Sequence, residues 1–152
     1  STAGLRGYKG TFYEGGIRVP FILSWPYKID TAITSNYPVT TLDITPTLST
    51  LAGASLDHQQ AVDGLDLSLL FSKMPEFIEP RTLLWFAGTS GAVRAGDWKL
   101  VHNRQGEHEL FNLRTDPMEQ EDLSSFNSDK FEQMSNFYSD WAQQVPPPVT
   151  PR

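Results

Sequence analysis

The residues best placed to do chemistry lie in residues 9–26, KGTFYEGGIRVPFILSWP. Lys9 carries a point charge on a flexible stem and is followed by Gly10 and then by the pair Gly15 and Gly16. Glycines allow backbone conformations and close approaches that a β-carbon resists. An ammonium in such a setting suits an oxygen of a sulfate or phosphate and stabilises charge that develops on a leaving group. On these residues alone a solvated surface lysine is the simpler reading of Lys9. Glu14 and Arg18, one helical turn apart, suit an ion pair that holds the loop rather than touching a substrate.

Other candidate groups are weaker. Asp63 and Asp66 invite a metal reading, but Asp63-Gly64 is an ordinary turn pair and Asp66 suits the cap of a short helix. His102 and His108 flank a turn and could meet across it, yet two imidazoles without a third ligand make a poor zinc site, and solvated turn histidines are the simpler reading. The chain has no cysteine, which removes disulfides, thiolate metal sites and a cysteine nucleophile. No serine sits in a nucleophile elbow, and no phosphate-cradling loop with its lysine and hydroxyl is present. A nucleophile, a base and a stabiliser cannot be assembled from these residues.

The elements that must hold the loop follow in order. Residues 19–25, apolar and aromatic between Pro20 and Pro26, predict a buried strand directly after it. A connection over residues 27–40 precedes a helix over residues 43–52, with Ile44, Leu48 and Leu51 on one stripe and Gly53 as its stop. Thr45-Pro46 resembles a cap and first position, whereas Thr40 and Asp43 would cap an earlier start. Residues 54–81 are mixed in character. From Thr82 the period becomes that of strands, TLLWF, AVR, WKLVH and ELFNL, with turns at residues 95–97 and 103–106. A small antiparallel sheet is expected. Asp116-Pro117 stops it, and Glu119, Glu121 and Asp122 read as a solvated acidic segment. A final helix over residues 129–142, capped by Ser128, presents Phe131, Met134, Phe137 or Tyr138, and Trp141 to the sheet, and residues 145–148 lead into an extended tail.

Length and charge bound the possibilities. A complete domain of 152 residues would bury roughly 68–70% of its unfolded surface. The chain opens STAGLRG without an initiator methionine, a signal sequence or an opening element, and reads as a piece of a longer protein. Its net charge of -6 is concentrated late: residues 1–50 carry four basic and three acidic side chains, residues 101–152 four and nine. Such a balance offers no footprint for a nucleic-acid backbone. The longest apolar run, residues 19–23, is far short of the roughly 20 residues of a membrane helix.

The run Lys9-Gly10-Thr11-Phe12-Tyr13-Glu14-Gly15-Gly16-Ile17-Arg18-Val19-Pro20 closely resembles the second signature of the sulfatases, hydrolases of sulfate esters in the alkaline-phosphatase superfamily. Further matches follow in order: Leu42-Asp43-Ile44-Thr45-Pro46-Thr47-Leu48, Leu51-Ala52-Gly53, Asp63-Gly64-Leu65-Asp66-Leu67, residues 92–100, and residues 109–113 with Asp116-Pro117 and Glu119. Together they cover nearly the whole chain and look like the carboxy-terminal third of an arylsulfatase-type enzyme. The resemblance implies an α+β fragment: the last strand and helix of an α/β sulfatase core over residues 1–80, a small antiparallel sheet packed on a carboxy-terminal helix over residues 81–145, and an extended tail over residues 146–152. It implies that Lys9 contacts the sulfate group and the ester oxygen, with Gly10, Glu14, Gly15, Gly16 and Arg18 supporting the loop. It places the formylglycine nucleophile, made from a cysteine or serine, and the calcium carboxylates upstream, so that no cofactor or metal is expected in this chain and the chain alone is expected to be inactive. The implied partners are a sulfated small molecule or glycan and an upstream sulfatase core, in a protein of a family commonly periplasmic, secreted or lysosomal. Self-association of the isolated chain is expected where its strand lacks cover. Two alternatives stay open: a related phosphodiesterase, phosphonate hydrolase or phosphoethanolamine transferase, and a non-enzymatic module that holds a glycan or partner through aromatics such as Trp85 and Trp98.

Overall fold

The computed structural model describes residues 2–29, 32–54, 63–71 and 80–144. It divides into two compact units, one formed by Ser1–Pro20 with Arg81–Arg152 and the other by Phe21–Pro80.

The first unit is built on a four-stranded antiparallel meander, β1 (Thr82–Ala87), β2 (Ser90–Ala95), β3 (Trp98–His102) and β4 (His108–Asn112), in the order β1-β2-β3-β4. Each hairpin has the turn chemistry its length demands. Between Ala95 and its partner Trp98 only two residues remain, and Gly96 takes φ 61 there, as primed two-residue turns require. In the longer β3–β4 turn the Asn103 side-chain oxygen accepts from the backbone N–H groups of Gln105 and Glu107, each at 3.0 Å.

Strand alternation sends successive side chains to opposite faces of this sheet. Val93, Leu100 and Leu110 lie on one face with Met134 and Tyr138 of the carboxy-terminal helix, α3 (Ser128–Ala142). Ala92, Val101 and Phe111 lie on the other, where Phe12, Tyr13 and Trp85 pack on them. The sheet therefore has a helix on one side and the segment around Tyr13 on the other. That segment contains one short helical turn, α1 (Glu14–Ile17). The expected sheet, its two turns and the covering helix are all present, with Phe137 on the outer side of α3 at 41% exposure and Tyr138 buried.

In the second unit a 3₁₀ turn (Thr41–Asp43) runs into α2 (Ile44–Leu51), and Gly53 at φ 71 ends it. The start is the earlier of the two expected: the Thr40 backbone N–H donates to Asp43 Oδ2 at 2.7 Å. The buried face is not the apolar stripe. Asp43 and Thr47 are buried, because Asp43 Oδ1 accepts from Leu65 N–H at 2.8 Å and Thr47 Oγ1 from Leu67 N–H at 2.9 Å. Ile44 and Leu48 stay exposed at 39% and 54%.

The strand expected over residues 19–25 does not form. These residues adopt no regular structure, and Val19, Phe21 and Ile22 are 71%, 51% and 90% exposed. A strand needs a hydrogen-bonded neighbour, and among the described residues the only strand pairings are those of the meander. The mixed segment around residues 55–62 and the tail after residue 144 lie outside the described residues.

Candidate functional site

Lys9 stands in a tight loop between two residues of positive φ, Gly7 at 82 and Gly10 at 92. The loop is closed locally: Thr11 N–H and Thr11 Oγ1 both donate to the Tyr8 carbonyl, at 3.0 and 2.8 Å. Gly15 N–H donates to the Arg6 carbonyl at 2.7 Å and joins the stems. A β-carbon at Gly16 would collide with the Thr11 carbonyl oxygen, and one at Gly15 would come within 2.5 Å of the Arg6 carbonyl oxygen. The paired glycines are thus explained by packing as well as by conformational freedom. Lys9 and Tyr8 are exposed at the tip, and Arg104 Nη2 from the β3–β4 turn donates to the Gly10 carbonyl at 3.2 Å.

Beneath the tip the loop is held by charge. Lys99 of β3, fully buried, places Nζ 2.8 Å from Glu14 Oε1 and 2.8 Å from Glu119 Oε1. Glu119 Oε2 accepts from the Glu14 backbone N–H at 2.6 Å. Arg18 Nη1 approaches the other Glu14 oxygen at 3.8 Å from the exposed rim. Two carboxylates are thus set against one buried ammonium and one solvent-facing guanidinium, a balanced set as buried charge requires. Burial nevertheless pushes the Glu119 carboxyl above the usual range, against the pull of Lys99.

A second cluster fixes the stem. The Arg6 guanidinium lies 4.1 Å from the Tyr13 ring centroid and 5.5 Å from that of Phe111. It pairs with Glu109 Oε1 at 2.9 Å and donates to the Glu119 carbonyl at 3.0 Å. The Tyr13 hydroxyl donates to Glu109 Oε2. Burial, then the Glu109 carboxylate, push the Tyr13 phenol up to about 12.

The loop residues singled out in the sequence therefore fall into two sets. Lys9 and Gly10 are exposed at the tip, whereas Glu14 is buried and Gly15 and Gly16 line the closed stem. Lys99 and Glu119 stand within the sulfatase-like matches of the sequence, but their burial and their pairing with Glu14 were missed, because neither residue has its partner near it in the chain. The solvated segment expected there holds for Glu121 and Asp122, which are exposed, and is corrected for Glu119, which is fully buried; Asp122 Oδ1 also accepts from Leu110 N–H at 2.9 Å. The Glu119 and Asp122 carboxylates both satisfy buried donors.

His102 and His108 do meet, as cross-strand partners with ring centroids 4.4 Å apart. Among the described residues no group of three His, Cys, Asp or Glu is disposed to hold a metal ion. Asp66 Oδ1 is engaged by Ser68 N–H at 2.8 Å. The described side chains therefore offer no set that fits a calcium ion.

The family described as N-sulphoglucosamine sulphohydrolase, C-terminal, matches residues 7–141, the Lys9 loop, the meander and most of α3 together. The chain belongs to the sulfatases, within their carboxy-terminal portion. It is 35% identical over 122 residues to choline-sulfatase of Rhizobium meliloti, covering 77% of this chain and 23% of that protein. It is 38% identical over 109 residues to arylsulfatase A of Homo sapiens, covering 67% and 21%. The crystal structure of Ps i-CgsB in complex with k-i-k-neocarrahexaose aligns at a TM-score of 0.81 and 31% identity, over 95% of this chain and 33% of that one. The chain thus spans a third or less of each of these relatives.

Proposed function

We propose that this chain is the carboxy-terminal portion of an enzyme that hydrolyses sulfate esters, and that Lys9 binds the sulfate group and stabilises negative charge on the departing ester oxygen. The observation that carries this is the Lys9 loop itself. It presents an ammonium at an exposed tip whose stems are closed by backbone hydrogen bonds and braced by buried ion pairs, in a sulfatase chain. A cation preorganised in this way meets developing charge without reorganising at the moment of reaction. Gly10 keeps the backbone beside Lys9 free of side-chain bulk. The nucleophile and the metal ligands come from outside this chain, which is inactive alone.

The substrate class we favour is a sulfated sugar or a small sulfate ester. A sugar is supported by the oligosaccharide bound to Ps i-CgsB, whose fold this chain shares along nearly its full length. The non-enzymatic module has less support: Trp85 and Trp98 are half-buried against the two sheet cores rather than displayed for a ligand.

The test is the ratio of activities of the intact protein on 4-nitrophenyl sulfate and 4-nitrophenyl phosphate. A sulfatase should favour the sulfate ester by at least about tenfold in kcat/KM, roughly 1.4 kcal/mol of differential transition-state binding. Equal rates or a preference for phosphate would move the chain to a phosphoester-cleaving relative.

A further inference from the structure

We infer that the buried cluster Glu14, Lys99 and Glu119 is a positioning device that sets the Lys9 tip against the reacting ester, a role that rests on the sulfate-contacting assignment of Lys9.

Three separate segments supply the cluster: α1, strand β3 and the stretch after β4. All three side chains are buried, Lys99 and Glu119 completely. For stability alone the arrangement is a poor choice, since removing charges from water costs much of what their attraction returns, and a well-packed apolar set of similar volume often does as well or better. What ionic legs supply that apolar contacts do not is direction. Lys99 Nζ lies 2.8 Å from one oxygen of each carboxylate and so fixes α1 and the Glu119 segment to one point on the sheet.

Glu119 is the centre of this device. Its carboxylate accepts from the Glu14 backbone N–H, at the end of the loop, and its carbonyl accepts from Arg6 Nη1, at the start. Lys9 lies between these two holds, with the stems joined by the bond from Gly15 N–H to the Arg6 carbonyl. Glu119 does this at φ 57, a conformation that residues with a β-carbon rarely adopt. Such a backbone persists where the surroundings over-determine it, and it concentrates at functional sites. One residue therefore grips both stems from a strained backbone while its neighbours Gln120 and Glu121 are bound separately by Asp116. None of the three touches the exposed tip, so the cluster positions rather than reacts.

The experiment is a double-mutant cycle in the intact protein, with 4-nitrophenyl sulfate as the probe. Glu119→Gln keeps the shape and removes the charge. In the wild-type background it should lower kcat by about 10–10²-fold, the scale of a small misplacement of a catalytic group, with little change in KM. In a Lys9→Ala background the same substitution should cost almost nothing, because the group it positions is gone. Equal factors in the two backgrounds, or an unchanged kcat for Glu119→Gln, would overturn the proposal. If Lys9→Ala alone leaves kcat unchanged, the assignment of Lys9 fails first and the device has nothing to position. Should Glu119→Gln not fold, Lys99→Arg, which retains the charge and displaces it, is read in the same cycle with the same expectations.

Discussion

At the scale of single residues, the bonds that matter most at this site span large sequence separations. Glu14 and Arg18 were legible as a pair because one helical turn separates them. Lys99 is 85 residues from Glu14, and Glu119 is 105 residues from the backbone N–H it accepts. No local pattern reports such a partner, and an acidic run normally faces water. Alternation within WKLVH puts Lys99 on the face of Val101, and the structure shows that face covered by the segment around Tyr13, where an unpaired ammonium would be intolerable. The titrating residue with a clear consequence is His108. Burial, and then His102, hold its imidazole below the ordinary value of about 6.5. Below that value the unfolded chain takes up a proton that the folded chain resists, so stability falls as pH drops through the region just under about 6.5. Urea midpoints at pH 7.5 and pH 5.5 should therefore converge in His108→Phe relative to wild type, and an equal loss in both proteins would remove His108 as the cause.

At the scale of elements, the meander and α3 were legible and the Lys9 loop was legible as a loop, for different reasons. Period-two patterning with Gly96 at a turn leaves few alternatives for β2 and β3. The 3.6-residue stripe of α3 falls on Met134 and Tyr138, which the sheet covers. For α2 the stripe was real and its burial was not. Asp43 and Thr47 point the helix at backbone N–H groups of residues 65 and 67, and these hydrogen bonds take precedence over Ile44 and Leu48. The loop itself owes its closure to glycines. Gly16→Ala should cost about 1–3 kcal/mol, the usual range for overpacking, because its β-carbon would run into the Thr11 carbonyl oxygen. An unchanged urea midpoint for Gly16→Ala would mean that the loop is looser than the described geometry.

For the whole molecule, the ordered motifs made the family legible across nearly the full chain, and the strand over residues 19–25 was the main expectation that failed. Its apolar residues are those of a strand, but strand structure is a property of a pair, and among the described residues no partner strand stands beside it. Val19, Phe21, Ile22, Leu42 and Leu48 together leave apolar side chains uncovered, in a chain that spans a third or less of its relatives. The proposed division of labour, with metal ligands elsewhere, makes a calorimetric prediction. Titration of residues 1–152 with calcium should reveal no stoichiometric site tighter than about 10⁻⁵ M, and a site of that strength would place the metal in this chain after all. The most direct measurement is the turnover of 4-nitrophenyl sulfate by the intact protein carrying Lys9→Ala. A fall in kcat of about 10²–10³-fold, the range for loss of one preorganised stabiliser, is predicted, and unchanged turnover would contradict the assignment of Lys9.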